Sequence, residues 1–175
     1  KNSEYTMSVT GIICLLFILH VAHSADTKYM KNSIRQYFSD TRHHAPQFRA
    51  YKKAAKDYIF SEFVRYGLRT EYHTFKDTTV SPSDYFQSVI GVMKGERFGT
   101  VDDKILGLGA HYDTMATTKG VDDNGAGVAA LLEVVRQLTD MNNHGISRKN
   151  TIFFVALDLE EYVYRDSVSC RNTSK

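Results

Sequence analysis

The chain has 175 residues, 42% hydrophobic and 12% aromatic, which is the composition of one ordinary globular domain and excludes a disordered or fibrous protein. Lysine and arginine total 22 against 20 for aspartate and glutamate, and the basic residues read as scattered, with no run and no helical stripe. That balance argues against a nucleic-acid-binding protein.

The first methionine, Met7, opens a segment to Ser24 with an apolar centre, Ile12 to Leu19, and an Ala22-His23-Ser24 end of the kind a signal peptidase reads. The apolar stretch is shorter than the about 20 residues that span a bilayer, so residues 7–24 are read as a secretory signal peptide and not as a membrane anchor. Lys1 to Thr6 do not resemble a basic leader and are set aside as translated non-coding sequence. The chain is thus expected in the secretory pathway or outside the cell, with no membrane attachment after cleavage. Cys14 falls inside the signal, so Cys170 is the only cysteine left, and a disulfide or thiolate metal cluster within the mature chain is excluded.

Ala25 to Phe38 is weakly helical in pattern, and Arg42-His43-His44-Ala45-Pro46 breaks it. The paired histidines are not read as a metal site, because neighbours on a regular element point apart and no third ligand is close in sequence. Phe48 to Tyr66 spaces Tyr51, Ala55, Tyr58, Ile59, Phe63 and Tyr66 at helical intervals, and Gly67 stops it. Leu68 to Phe75 and Tyr85 to Lys94 are β-rich and are separated by the turn residues Ser81 to Asp84, as in a strand pair.

Ile105 to Ala110 is an apolar run that ends in His111-Tyr112-Asp113, the pattern of a buried strand whose last residues emerge at a sheet edge. Val128, Leu131, Leu132, Val135 and Leu138 then define a helix from about Gly125 to Met141, with Asn124 as its N-cap. Thr151 to Leu157 is a second apolar strand, ending in Asp158, Glu160 and Glu161. Strand, helix, strand in this order predicts one parallel crossover, with both polar strand ends and the Asp122-Asp123 loop on the carboxyl edge, where open α/β sheets bind ligands.

A hydrolytic zinc site needs neutral imidazole and carboxylate ligands, an open position for water, and a base beside that water. His111 and Asp113, two apart on a strand, face the same way, so Asp113 can fix the imidazole tautomer that binds metal. Glu160 and Glu161 leave the strand end pointing apart, which lets one bind metal while the other meets the water. So many acids at one edge are costly without a cation.

Gly109-Ala110-His111-Tyr112-Asp113-Thr114, then Gly120 to Gly127 with Asp122-Asp123-Asn124, then Phe154 to Glu161 resemble the three successive motifs of the co-catalytic zinc aminopeptidases, metallopeptidase family 28. The resemblance reaches back less sharply to Phe48 and stops at Tyr162. It implies a three-layer α/β/α fold with a mixed, mostly parallel central sheet, incomplete at its C-terminus. It also implies His111 as ligand of one zinc, Asp123 as the bridge between two, Glu161 as ligand of the second, Glu160 as general base and Asp113 as the residue orienting His111. A cis peptide not involving proline would fall at Asp123–Asn124.

Residues 25–162 are therefore expected to be a partial zinc peptidase domain acting on peptides or small proteins, and residues 163–175 an off-family polar tail. Each zinc of the family takes one further ligand from beyond Tyr162, so the 175-residue product is expected to bind zinc weakly and to have little activity. Asn172-Thr173-Ser174 is a glycosylation sequon inside that tail. Two other functions remain open: a glutaminyl cyclase, which shares this fold and uses a single zinc for transfer, and a non-catalytic secreted binding module. The choice among aminopeptidase, dipeptidase and carboxypeptidase, like the side-chain preference, rests on parts the resemblance does not cover.

Overall fold

The computed structural model describes residues 25–161. The signal segment, both cysteines, the polar tail and the sequon lie outside these residues. Helix α1 is Thr27–Tyr37, opened by Asp26, whose side chain accepts the backbone N–H of Tyr29 at 2.9 Å. A short 3-10 turn, Pro46–Phe48, leads into α2, Arg49–Arg65, and Gly67 ends that helix with φ +76°.

Four strands follow as a single sheet: β1 (Arg69–Phe75), β2 (Phe86–Met93), β3 (Leu106–His111) and β4 (Ile152–Leu157), in the order β1-β2-β4-β3. β2 runs against both its neighbours, while β3 and β4 are parallel and joined through α3, Gly127–Asn143. The sheet is thus mixed, as expected of an α/β fold, and its parallel pair is the one beside the polar strand ends. Register pairs Ala110 with Ala156 and His111 with Leu157, so the two polar ends leave the sheet at the same level.

The three helices pack on one another and on the strand residues Val89, Met93, Ala110, Phe154 and Ala156, which alternate to one face of the sheet. Ala55, Ile59 and Phe63 of α2 and Val128, Leu132 and Val135 of α3 supply the fully buried helix side of this core. Each such side chain contributes roughly 1.5–3 kcal/mol by leaving water, alanine less. Among the described residues, no helix is long and apolar enough to cross a membrane.

Three local expectations are corrected. Among the described residues β3 lies at the sheet edge and its start is not buried: Ile105 is 58% exposed and Leu106 53%, since an apolar run cannot by itself tell an edge from a centre. Tyr51 lies off the buried face of α2 and is half exposed. Asn124 does not cap α3, because Asp123 and Asn124 leave helical φ/ψ within an irregular turn, Val121–Ala126, and the helix proper starts at Gly127.

Candidate metal centre

The edge formed by the ends of β3 and β4 and by the 121–126 turn gathers the acids. His111, the last residue of β3, is 9% exposed and turns its ring toward that turn. Its Nε2 lies 3.0 Å from Oδ1 of Asp123 and 3.7 Å from Oε2 of Glu160, and Glu161 completes a group whose ligand atoms all fall within 4.8 Å of one another with His111 and Asp123. The Asp123–Asn124 peptide is cis.

The opposite ring nitrogen, Nδ1, faces Asp113, 3.3 Å from its backbone carbonyl and 3.5 Å from its carboxylate. Asp113 is buried, and its two carboxylate oxygens accept the backbone N–H groups of Glu160 and Glu161, each at 3.2 Å. One side chain thereby sets the imidazole of β3 and the main chain after β4. Leu159 makes the turn possible with φ +68° and a buried side chain, a left-handed conformation costing about 1–2 kcal/mol for a residue with a Cβ.

The three acids after β4 divide. Asp158 points away from the centre, into the fold: its Oδ2 accepts from the Gln87 amide at 3.0 Å and the Tyr112 hydroxyl at 3.1 Å, and its Oδ1 lies 2.5 Å from the Lys52 ammonium. Glu160 and Glu161 point outward to the cluster, half-buried. Asp122 stays exposed and outside the ligand group.

Arg42 was legible only as part of a helix breaker, yet it organises the site. It is fully buried, and its guanidinium donates to the carbonyls of Tyr112 (2.7 Å), Gly120 (2.7 Å), Lys119 (3.0 Å) and Asp40 (2.8 Å). Its backbone N–H donates to Thr114 Oγ1 at 2.8 Å. The residue after His111 is thus tied to the loop that carries Asp123. Burial pulls the Arg42 guanidinium down to about 10, with Asp113 acting in the other direction. Gly120 answers with φ +57°, and a Cβ there would sit 3.0 Å from Arg42 Nη2 and 2.6 Å from the Asp123 carbonyl. His43 and His44 do not point apart as expected; their rings lie 3.9 Å between centroids, and neither belongs to the ligand group.

The donor set fits a zinc ion. Asp113, followed by Glu160 and Asp123, holds the His111 imidazolium up to about 9 against the opposing effect of burial. Burial first, and Asp123 next, push the Glu161 carboxyl up. An imidazole that clings to its proton beside a Glu161 carboxyl that resists ionising is a cluster short of one cation, and one imidazole with two carboxylate oxygens is a familiar zinc donor set.

Residues 88–173 match peptidase family M28, a span that takes in most of β2 and every residue of the cluster. This segment is a peptidase family M28 sequence. The chain is 36% identical over 76 residues to a probable glutamate carboxypeptidase, LAMP1, of Arabidopsis thaliana, covering 43% of this chain and 10% of that protein. Its fold resembles glutaminyl cyclase of Porphyromonas gingivalis, with TM-score 0.63 and 24% identity over 81% of this chain and 49% of that one. It also resembles a Zn-dependent exopeptidase of Parabacteroides distasonis, with TM-score 0.56 and 24% identity over 77% and 45% of the two chains. The chain spans half or less of each of these proteins. The matched segment thus holds the zinc-type donor set of His111, Asp123 and Glu161.

Proposed function

We propose that the chain carries the peptide-hydrolysing centre of a secreted zinc exopeptidase, with His111, Asp123 and Glu161 as metal ligands and Glu160 as general base. The observation that carries this reading is the convergence of His111, Asp123 and Glu161 within 4.8 Å, with Glu160 beside them and outside that group. The family resemblance favours two zinc ions, toward which His111, Asp123 and Glu161 would supply the ligands, and the apolar segment of residues 7–24 supports secretion.

Zinc held by these residues supplies Lewis acidity, acidifying water and polarising a peptide carbonyl. Glu160, half exposed at the rim, takes the proton of the attacking water and returns it to the departing amine. Asp113 keeps Nδ1 of His111 engaged so that Nε2 faces the ligand group. Arg42 holds the Asp123 loop against the end of β3.

A second reading, glutaminyl cyclisation, has the resemblance of fold to the Porphyromonas gingivalis enzyme in its favour. Incubation of the zinc-supplemented protein with aminoacyl amides and with glutamine-initiated peptides separates the two. Slow, zinc-dependent release of free amino acids that disappears in Glu160→Gln is expected. Cyclised N-terminal glutamine with no hydrolysis would replace the peptidase reading.

A further inference from the structure

Beside the metal centre lies a second hollow of about 330 Å³, and its wall is the first half of α2. Arg49, Lys52, Lys53 and Lys56 follow one another at i, i+3, i+4 and i+7, so one helix face presents four cations to this cleft. The basic residues are therefore not scattered throughout, as the composition suggested. The floor is aromatic and amide: Phe86, Gln87 and Tyr112.

Two carboxylates, Asp84 and Asp158, face those four cations across the cleft. Both are already engaged. Asp84 takes Arg49 in a two-pronged contact at 2.7 and 2.9 Å, and Asp158 lies 2.5 Å from Lys52 while also accepting from Tyr112 and Gln87. Lys53 pairs with Asp57 on its own helix. Lys56, half-buried above the Tyr72 ring, donates to the amide oxygen of Gln87, a neutral acceptor. The cleft thus keeps positive charge in a partly desolvated place, where an anion gains most.

This cleft adjoins a smaller hollow that reaches Glu161 of the metal centre. His44 and Lys52 line both, and the other walls of the hollow include Asp113, Thr114 and Glu161. His44 and Lys52 therefore stand between Glu161 and Lys56, on the path one flank of a peptide held at the metal centre would take. The anion that an unmodified peptide brings is a carboxylate, either its C-terminal one or that of an acidic side chain.

We infer that the α2 cleft is a substrate subsite that recognises a carboxylate of the bound peptide through Lys56 and its neighbours; this rests on the peptidase reading of the adjoining centre. The subsite selects peptides with an acidic side chain or a free C-terminus next to the bond cleaved.

Calorimetric titration of the 175-residue chain with three probes tests it. N-acetylglutamine carries only an α-carboxylate, the α-amide of N-acetylglutamate only a side-chain carboxylate, and N-acetylglutamine amide neither. At least one carboxylate probe is expected to bind about tenfold tighter than the uncharged one, the worth of one charge-assisted contact, and the tighter of the two names the source. Lys56→Gln should bring the preference to within about twofold, Lys53→Gln, an exposed change on the same wall, should reduce it, and Lys94→Gln elsewhere should leave it unaltered. Equal affinities, no binding of any probe, or a preference that survives both Lys56→Gln and Lys53→Gln overturns the inference. Zinc titration of the same samples keeps the two readings apart: zinc bound without carboxylate preference sinks the subsite alone, and carboxylate preference without zinc sinks the peptidase centre.

Discussion

The carboxylate of Asp113 accepts the backbone N–H of Glu161 across 3.2 Å, so a residue just past the end of β3 fixes the main chain just past the end of β4. Its other oxygen does the same for Glu160, and its flank meets Nδ1 of His111. Asp113→Asn keeps the volume but replaces an acceptor-only group, weakening its hold on both N–H groups and on the imidazole. Zinc affinity, measured by competition with a chelating dye, should fall by about 10–100-fold, the usual effect of losing the group behind a metal-bound histidine.

Arg42 is a buried cation held by four carbonyls, and those hydrogen bonds join strand end to loop. Arg42→Met leaves the carbonyls of Tyr112 and Gly120 without donors. Urea unfolding should register a loss of about 3–5 kcal/mol, in the range of breaking a buried charged network. Arg42→Lys should recover only part of it, because one ammonium cannot reach divergent acceptors as the planar guanidinium does.

Glu133 carries a pH signature at the far end of the helical layer. Its buried carboxylate accepts from Arg136 (2.7 and 2.8 Å), from Gln137 (2.8 Å) and from the Asp26 backbone N–H (2.9 Å). Arg136 above all holds its carboxyl down at about 2, below the ordinary 4.5. A depressed carboxylate stabilises the fold fully above its unfolded value and loses that effect as pH falls toward the folded one. The stability gap between the natural chain and Glu133→Gln should thus be about 1–2 kcal/mol at pH 6 and close between pH 4.5 and 2, as read from thermal melts.

Much of this was legible in the chain because hydrophobic period reports backbone period: the spacing of Ala55, Ile59 and Phe63, and of Val128, Leu132 and Val135, marks the faces that bury. The cluster was legible as well, since two apolar runs that end in acids must release them at one sheet edge. Arg42 was not, because a single basic residue in a loop carries no period and its partners are carbonyls, which every residue has. The cationic face of α2 could have been found with the same i, i+3, i+4, i+7 test that finds apolar stripes. The separation of Asp158 from Glu160 and Glu161 depends on Lys52 and Tyr112, more than 40 positions upstream, and no local pattern encodes it.

Central to all of this is the division of labour among neighbouring acids, and zinc titration of single variants tests it most directly. His111→Ala, Asp123→Asn and Glu161→Gln should each weaken zinc binding by at least about tenfold, while Glu160→Gln should stay within about threefold of the natural chain. Equal losses in Glu160→Gln and Glu161→Gln, or zinc binding indifferent to His111→Ala, would contradict it.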